Sequence, residues 1–382
     1  MKKLKPIYLD YNATTPVDPD VFSAMRPYFE THFGNPSSSH QYGKATKEAV
    51  TVARQQVANL LGAEPSEIVF TSGGSESNNH AIIGTALANM KKGNHIITSQ
   101  IEHPAVLKPL KYLEEKFGFR TTYLPVDKYG LVDPSDVEKA ITEKTVLITL
   151  MHANNEVGTI EPIEEIGKIA REKGVILHSD AAQSCGKIEV NVEKMKVDLL
   201  TVAGHKLYAP KGIGALYIRN GTILDNLIHG ASQEMGRRAG TENVPYMVGL
   251  GRASEIAMHM IEHFAVDIKV LRDRLHDKIR QGLGDENVKL NGHPENRLPN
   301  TLNISIRDVI GEELLRGIPE IAASTGSACH AGSTDLSSVL TAMGLTREQA
   351  LGALRFSLGR WSTSEEIDTA AEFVVRKAER DH

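Results

Sequence analysis

The chain has 382 residues, with 43 Lys and Arg against 48 Asp and Glu, for a net charge of -5. With 41% hydrophobic and 24% charged residues, it has the composition of a folded globular protein, which excludes disorder, collagen and coiled coil, while its mild acidity removes any global reason to bind nucleic acid or an anionic membrane surface. The length exceeds the roughly 250–300 residues at which single cores stop growing, so two domains are expected. The first residues, Met1–Pro6, are basic with no apolar stretch behind them, and no apolar run approaches the roughly 20 residues of a membrane span. The expectation is a soluble cytoplasmic protein without a signal peptide.

Short β-rich runs then alternate with helical stretches. Glu67–Thr71 reads as a buried strand and Ser75–Met90 as the helix after it. His95–Ser99, Thr121–Pro125 and Thr145–Leu150 are further strands, and Ile163–Lys173 is a helix with Ile163, Ile166, Ile169 and Ala170 on one face. Val175–Ser179, Leu199–Val202 and Gly214–Ile218 complete a set of seven strands. Strands separated by helices imply right-handed crossovers and a mainly parallel sheet, giving an α/β fold. From about Val248 a long helical stretch runs to about Leu283, ended by Gly282, Gly284, Asp285 and Asn287. A smaller α+β segment follows: strand Thr301–Ile306, helix Gly311–Arg316, strands Ile321–Ser324 and Leu354–Leu358, and helix Ser364–Arg380. The division expected is a large domain over 16–250 and a smaller one made of 1–15 and 251–382.

In sheets of this kind ligands sit beyond the carboxyl ends of the strands. After the first of the seven strands comes Ser72-Gly73-Gly74-Ser75-Glu76-Ser77-Asn78-Asn79. Its glycines allow a tight turn into a helix N-terminus, whose free N–H groups and positive dipole end suit a phosphate; the bland alternative is a turn capped by Ser75. After Val175–Ser179 comes Asp180, a carboxylate that needs a partner at a buried strand end. After Leu199–Val202 comes Ala203-Gly204-His205-Lys206. A lysine in an apolar cleft has its charged form disfavoured and becomes nucleophilic, whereas most isolated loop lysines are simply solvated. A phosphate cup, a strand-end Asp and a loop Lys together meet the requirements of pyridoxal 5′-phosphate. The two cysteines, Cys185 and Cys329, exclude a disulfide framework and a thiolate zinc cluster, and no metal site is expected.

The motifs extend over nearly the whole chain: Y-L-D-Y-N-A-T-T-P (Tyr8–Pro16), F-G-N-P-S-S (Phe33–Ser38), V-F-T-S-G-G-S-E-S-N-N (Val69–Asn79), E-H-P-A-V (Glu102–Val106), H-A-N-N-E-V-G-T (His152–Thr159), D-A-A-Q-S (Asp180–Ser184), G-H-K-L-Y-A-P-K-G (Gly204–Gly212), R-R-A-G-T-E-N (Arg237–Asn243), S-T-G-S-A-C (Ser324–Cys329) and R-F-S-L-G-R (Arg355–Arg360). In this order they resemble the cysteine desulfurases of the nitrogen-fixation and iron–sulfur-assembly type, in the class V aminotransferase group of fold-type I pyridoxal-phosphate enzymes.

The resemblance implies that Lys206 carries the cofactor and takes the substrate Cα proton. It implies that Asp180 pairs with the pyridine nitrogen, that Gln183 donates to the phenolic oxygen, and that His103 stacks on the ring and assists proton transfer. Gly74, Ser75 and His205 would bind the phosphate, and Thr241 would reach it from the other subunit of a homodimer. Arg355, assisted by Asn155, would bind the substrate carboxylate. Cys329, in a loop of small residues, would accept sulfur from L-cysteine as a persulfide, release L-alanine and pass the sulfur to an acceptor such as an iron–sulfur scaffold. Cys185 is expected to pack inertly beneath the cofactor.

The sequence departs from the family pattern at Ala203, at Ala209 and over His229-Gly230-Ala231-Ser232-Gln233-Glu234, which replaces a more glycine-rich run. Ala203 stands where many members have a phosphate-binding serine, a loss that Thr201 or water would have to make good, and Ala209 replaces a glycine. A selenocysteine lyase, releasing L-alanine and selenide from L-selenocysteine, is the nearest rival reading. An aminotransferase or a non-catalytic sulfur-transfer scaffold of the same fold is more distant.

Overall fold

The computed structural model describes residues 5–325 and 336–381. Its largest sheet has seven strands in the spatial order Ile68–Thr71, Gly214–Ile218, Leu199–Ala203, Ile176–Asp180, Thr145–Met151, His95–Ser99 and Arg120–Leu124. The five strands from Leu199–Ala203 to Arg120–Leu124 are mutually parallel. Gly214–Ile218 runs antiparallel to both its neighbours, because only the short segment 204–213 joins it to Leu199–Ala203 and a parallel return needs a longer crossover. All seven expected strands are present, with ends shifted by a residue or so, and the sheet is mainly parallel as the alternating pattern implies.

Both faces of this sheet are covered. On one, helices Gln41–Leu61 and Val244–His263 pack against each other, and Val57, Leu61, Phe70, Leu200 and Leu250 join a continuous buried core. On the other, Ile82, Ile96, Leu110 and Leu113 form a second cluster under helix Pro104–Phe117. Such two-sided burial explains why these strands read as apolar runs rather than alternating ones.

The C-terminal domain has its own three-stranded antiparallel sheet, Ala353–Ser357, Thr301–Ile306 and Val288–Asn291 in spatial order. Leu302, Ile304 and Phe356 of this sheet pack with Leu275, Ile279 and Val374 of the flanking helices. Near the N-terminus, Ile7–Tyr8 pairs in parallel with Ile321–Ala322.

Two expected helices are interrupted. The stretch expected as Ser75–Met90 is helix Gly74–Asn79, a π turn at His80–Gly84 and helix Thr85–Asn89. Here the Gly84 carbonyl accepts from the Asp225 amide at 3.0 Å, a bond from outside the helix of the kind that disturbs the intrahelical ladder. The second long helix begins earlier than expected, at Val244, and has a π turn at Phe264–Ile268. Helix Gln41–Leu61 carries no strong apolar stripe, since Gly43, Thr46, Ala49 and Ala53 supply much of its buried face.

A buried ion pair ties the loop before Thr241 to the large core. Arg54 donates Nη1 and Nη2 to the two carboxylate oxygens of Glu234, both at 2.7 Å, and Phe70 N donates to the same carboxylate at 2.8 Å. Glu234 and Met235 are held at φ of 48° and 57°, a left-handed conformation that non-glycine residues adopt only when their surroundings impose it.

Candidate active site

The carboxyl ends of the parallel strands open into a cleft of about 1060 Å³. At its floor Thr71 leads into Gly73, whose φ of 145° is accessible in practice to glycine alone. Gly74 opens the following helix and lies against Ala203; a Cβ on Gly74 would meet the Ala203 Cβ at 3.2 Å. The first amides of a helix lack intrahelical acceptors, so this turn presents donors to the cleft beside the Ser75 hydroxyl. Glu76, also at the turn, is paired with Arg238, Nε to Oε1 at 2.9 Å, which offsets a negative charge that would otherwise repel an anion.

Lys206 follows strand Leu199–Ala203 in a tight turn at Gly204, where a side chain would run into Ile213. Its Nζ donates to the carbonyl of Asn12 and, at 2.7 Å, to that of Ala13. Burial, and then the Arg355 charge, lower its pKa to about 8. His205 contacts the Thr14 hydroxyl at 3.2 Å. Burial, followed by the nearby Lys206 and Lys211 charges, lowers its pKa to about 4, so near neutral pH it serves as a hydrogen-bonding group rather than a cation.

Asp180 ends its strand facing the same cleft. Its carboxylate accepts from Asn78 Nδ2 at 2.7 Å and from the Ala182 amide at 3.0 Å. Gln183 donates Nε2 to the Asn12 carbonyl at 2.9 Å. His103 caps helix Pro104–Phe117, with Nδ1 accepting from the Ala105 amide at 3.0 Å, so neutral His103 carries its proton on Nε2. Burial lowers the His103 pKa, as does Lys206, while Asp180 opposes them.

Arg355 is buried in strand Ala353–Ser357. Nη2 donates to Asp10 Oδ1 at 2.7 Å and Nη1 to the Asn155 carbonyl at 3.0 Å, whereas Nε has no partner among the described residues. The expected pairing of Arg355 with Asn155 is therefore a contact to the Asn155 backbone, and Asp10 is a partner that the sequence reading did not assign.

Gly74, Ser75, His103, Asn155, Asp180, Gln183, His205, Lys206 and Arg355 all line the one cleft. Thr241 does not; it is exposed on the protomer surface. Cys329 lies outside the described residues. Cys185 is buried, and burial raises its thiol pKa to about 12, leaving it protonated and unreactive. Thr201 is not placed to substitute for a serine at 203, because its hydroxyl is engaged by His178 Nε2 at 3.0 Å in the buried sheet. Asn12 and Lys187 were also missed, although Asn12 lies within the Tyr8–Pro16 motif and Lys187 three residues beyond the Asp180–Ser184 motif.

The sequence matches the family described as aminotransferase class-V over residues 7–369. It is 51% identical over 372 residues to the protein named cysteine desulfurase IscS of Methanosarcina thermophila, covering 97% of this chain and 91% of that protein. Among solved structures, a NifS-like protein superposes with a TM-score of 0.91 at 39% identity, covering 98% of this chain and 100% of the other. A structure titled SspA in complex with cysteine superposes with a TM-score of 0.80 at 40% identity, covering 93% and 99%.

Proposed function

The chain belongs to the aminotransferase class-V family, and from that premise we propose that it is a cysteine desulfurase, taking sulfur from L-cysteine and releasing L-alanine. The class-V aminotransferase and cysteine desulfurase family depends on pyridoxal 5′-phosphate. The residues present fit that group: an amide-rich glycine turn for the phosphate, an acceptor carboxylate at Asp180, an amide donor at Gln183 and a lysine held in the cleft at Lys206. When bound, the cofactor withdraws electrons from the substrate Cα, which acidifies its proton and weakens the Cβ–S bond.

In this reading Gly74, Ser75 and His205 would hold the phosphate, Asp180 would pair with the ring nitrogen, and His103 would lie against the ring. Lys206 attaches the cofactor. With a pKa of about 8, its amine is within reach of deprotonation near neutral pH, so it can take the proton from Cα and return it. Arg355 binds the substrate carboxylate, and Asp10 and the Asn155 carbonyl hold the guanidinium in one orientation. Cys329, as thiolate, attacks the substrate sulfur; an S–S bond forms as the Cβ–S bond breaks. The carbon fragment takes up protons and leaves as L-alanine, and the persulfide goes on to a sulfur-acceptor protein, an iron–sulfur scaffold being one chemistry that uses it. Thr241 completes the phosphate site of the second subunit in a homodimer. The division into 16–250 and 1–15 with 251–382 belongs to this proposal and is supported by the Ile7–Tyr8 pairing with Ile321–Ala322.

The observation that carries this reading is the convergence of Lys206, Asp180, Gln183, His103 and Arg355, from separate strand ends and loops, on one cleft. Its test is alanine release from L-cysteine and, in parallel, from L-selenocysteine, by protein loaded with the cofactor under reducing conditions. Release from both, lost for cysteine in Cys329→Ala, is expected. Release from selenocysteine alone would replace the reading with a selenocysteine lyase, which the apolar Ala203 resembles. Release from neither would overturn both.

A further inference from the structure

Beneath the cleft lies a second lysine that the proposed mechanism does not use. Lys187 is only 3% exposed, and its Nζ contacts two neutral oxygens, Gln183 Oε1 at 2.8 Å and Asn12 Oδ1 at 3.1 Å. The Asn12 side chain is oriented independently, since its Nδ2 donates to Thr301 Oγ1 at 2.8 Å and to the Asn155 carbonyl at 3.2 Å. Its Oδ1 therefore faces Lys187 and also accepts from Asn300 Nδ2 at 3.1 Å. Gln183 is held at both ends, with Oε1 on Lys187 and Nε2 on the Asn12 carbonyl, the same carbonyl that receives Lys206 Nζ. A buried lysine without a carboxylate partner is costly, and here it sits one hydrogen bond from an amide that lines the cleft.

We infer that Lys187 is a positioning residue: by holding Gln183 Oε1 it keeps the amide nitrogen turned toward the cleft, where it donates to the phenolic oxygen of the bound cofactor. The inference rests on the proposed pyridoxal-phosphate reading. A donor at the phenolic oxygen would favour loss of the proton where Lys206 attaches the cofactor. The other titratable and charged groups facing this pair are Arg355, Asp10, Asp180, His103, His205 and Cys185. None of them changes in the variants compared.

The test is the pH midpoint of the visible absorbance of the loaded protein. In Lys187→Met the midpoint is expected to rise by about one pH unit, the scale of one lost hydrogen bond to a charged group. Lys187→Arg, which keeps N–H donors toward Gln183 Oε1, is expected to restore most of the shift. On a Gln183→Ala background, Lys187→Met is expected to shift the midpoint less, because part of its effect passes through the amide. Equal midpoints in Lys187→Met and the parent protein would overturn the inference, as would an equal shift with and without Gln183. Should Lys187→Met fail to fold, Lys187→Gln, whose amide can accept as well as donate and so does not fix the Gln183 amide in one orientation, takes its place with the same expected direction. A parent protein that takes up no cofactor would instead overturn the functional proposal, and this inference with it.

Discussion

Replacing Lys206 by methionine is expected to stabilise the cofactor-free protein near neutral pH. Folding lowers the Lys206 pKa from the ordinary 10.5 to about 8, so the unfolded chain binds this proton more tightly than the folded one. The sign follows from proton linkage. Below about pH 8 the lysine is protonated in both states and the full cost of burying its charge is present; between about 8 and 10.5 that cost falls as pH rises; above 10.5 it is gone. A gap of about 2.5 in pKa, at about 1.36 kcal/mol for each unit, sets an upper limit of about 3 kcal/mol. Methionine also forfeits the bonds from Nζ to the Asn12 and Ala13 carbonyls, and the Asn12 carbonyl keeps Gln183 as a donor. The expected net gain is about 2 kcal/mol after about 1 kcal/mol for the lost bonding. The assay is the apparent melting temperature of both cofactor-free proteins at pH 7 and pH 10. The variant should melt higher by a few degrees at pH 7, and the difference should shrink at pH 10. A variant that melts lower at pH 7, or a difference independent of pH, would refute the reasoning. The expected result has a functional meaning, since a site that needs a neutral amine carries it at the expense of stability.

Ala203→Ser adds a hydroxyl beside the Gly74 turn and is expected to slow cofactor loss on dialysis by about tenfold, the value of one hydrogen bond to a charged group; an unchanged rate would place the phosphate elsewhere. Arg355→Lys replaces a planar fork held by Asp10 and the Asn155 carbonyl with a point charge. Initial rates should show the KM for L-cysteine raised by about tenfold or more with a smaller change in kcat, and an unaltered KM would remove Arg355 from the substrate carboxylate.

The strands of the large sheet were legible because each is a short apolar run, and a doubly covered sheet demands that pattern over a few consecutive residues. Gly73-Gly74, Asp180 and Lys206 were legible for a related reason: each lies at or within three residues of a strand's carboxyl end, so its place at the carboxyl edge is local information. Helix Gln41–Leu61 was not, since much of its buried face is supplied by small residues that fit the helix packed on it. The π turn at His80–Gly84 was equally hidden, because the Asp225 amide that takes the Gly84 carbonyl lies far along the chain.

By itself, then, the sequence determined the order of strands and helices, the glycine turn, and the residue types poised at the strand ends, all of which depend on neighbours a few positions away. The partners of those residues were decided only by the tertiary structure. Asp10 and Arg355 are 345 positions apart and Asn12 and Lys187 are 175 apart. The Asn12 carbonyl becomes the common acceptor of Lys206 and Gln183 only when the N-terminal segment is laid across the mouth of the sheet. Burial at that crossing also lowers the Lys206 pKa. Burial and long-range charge are properties of the packed chain, and no local pattern of residues carries them.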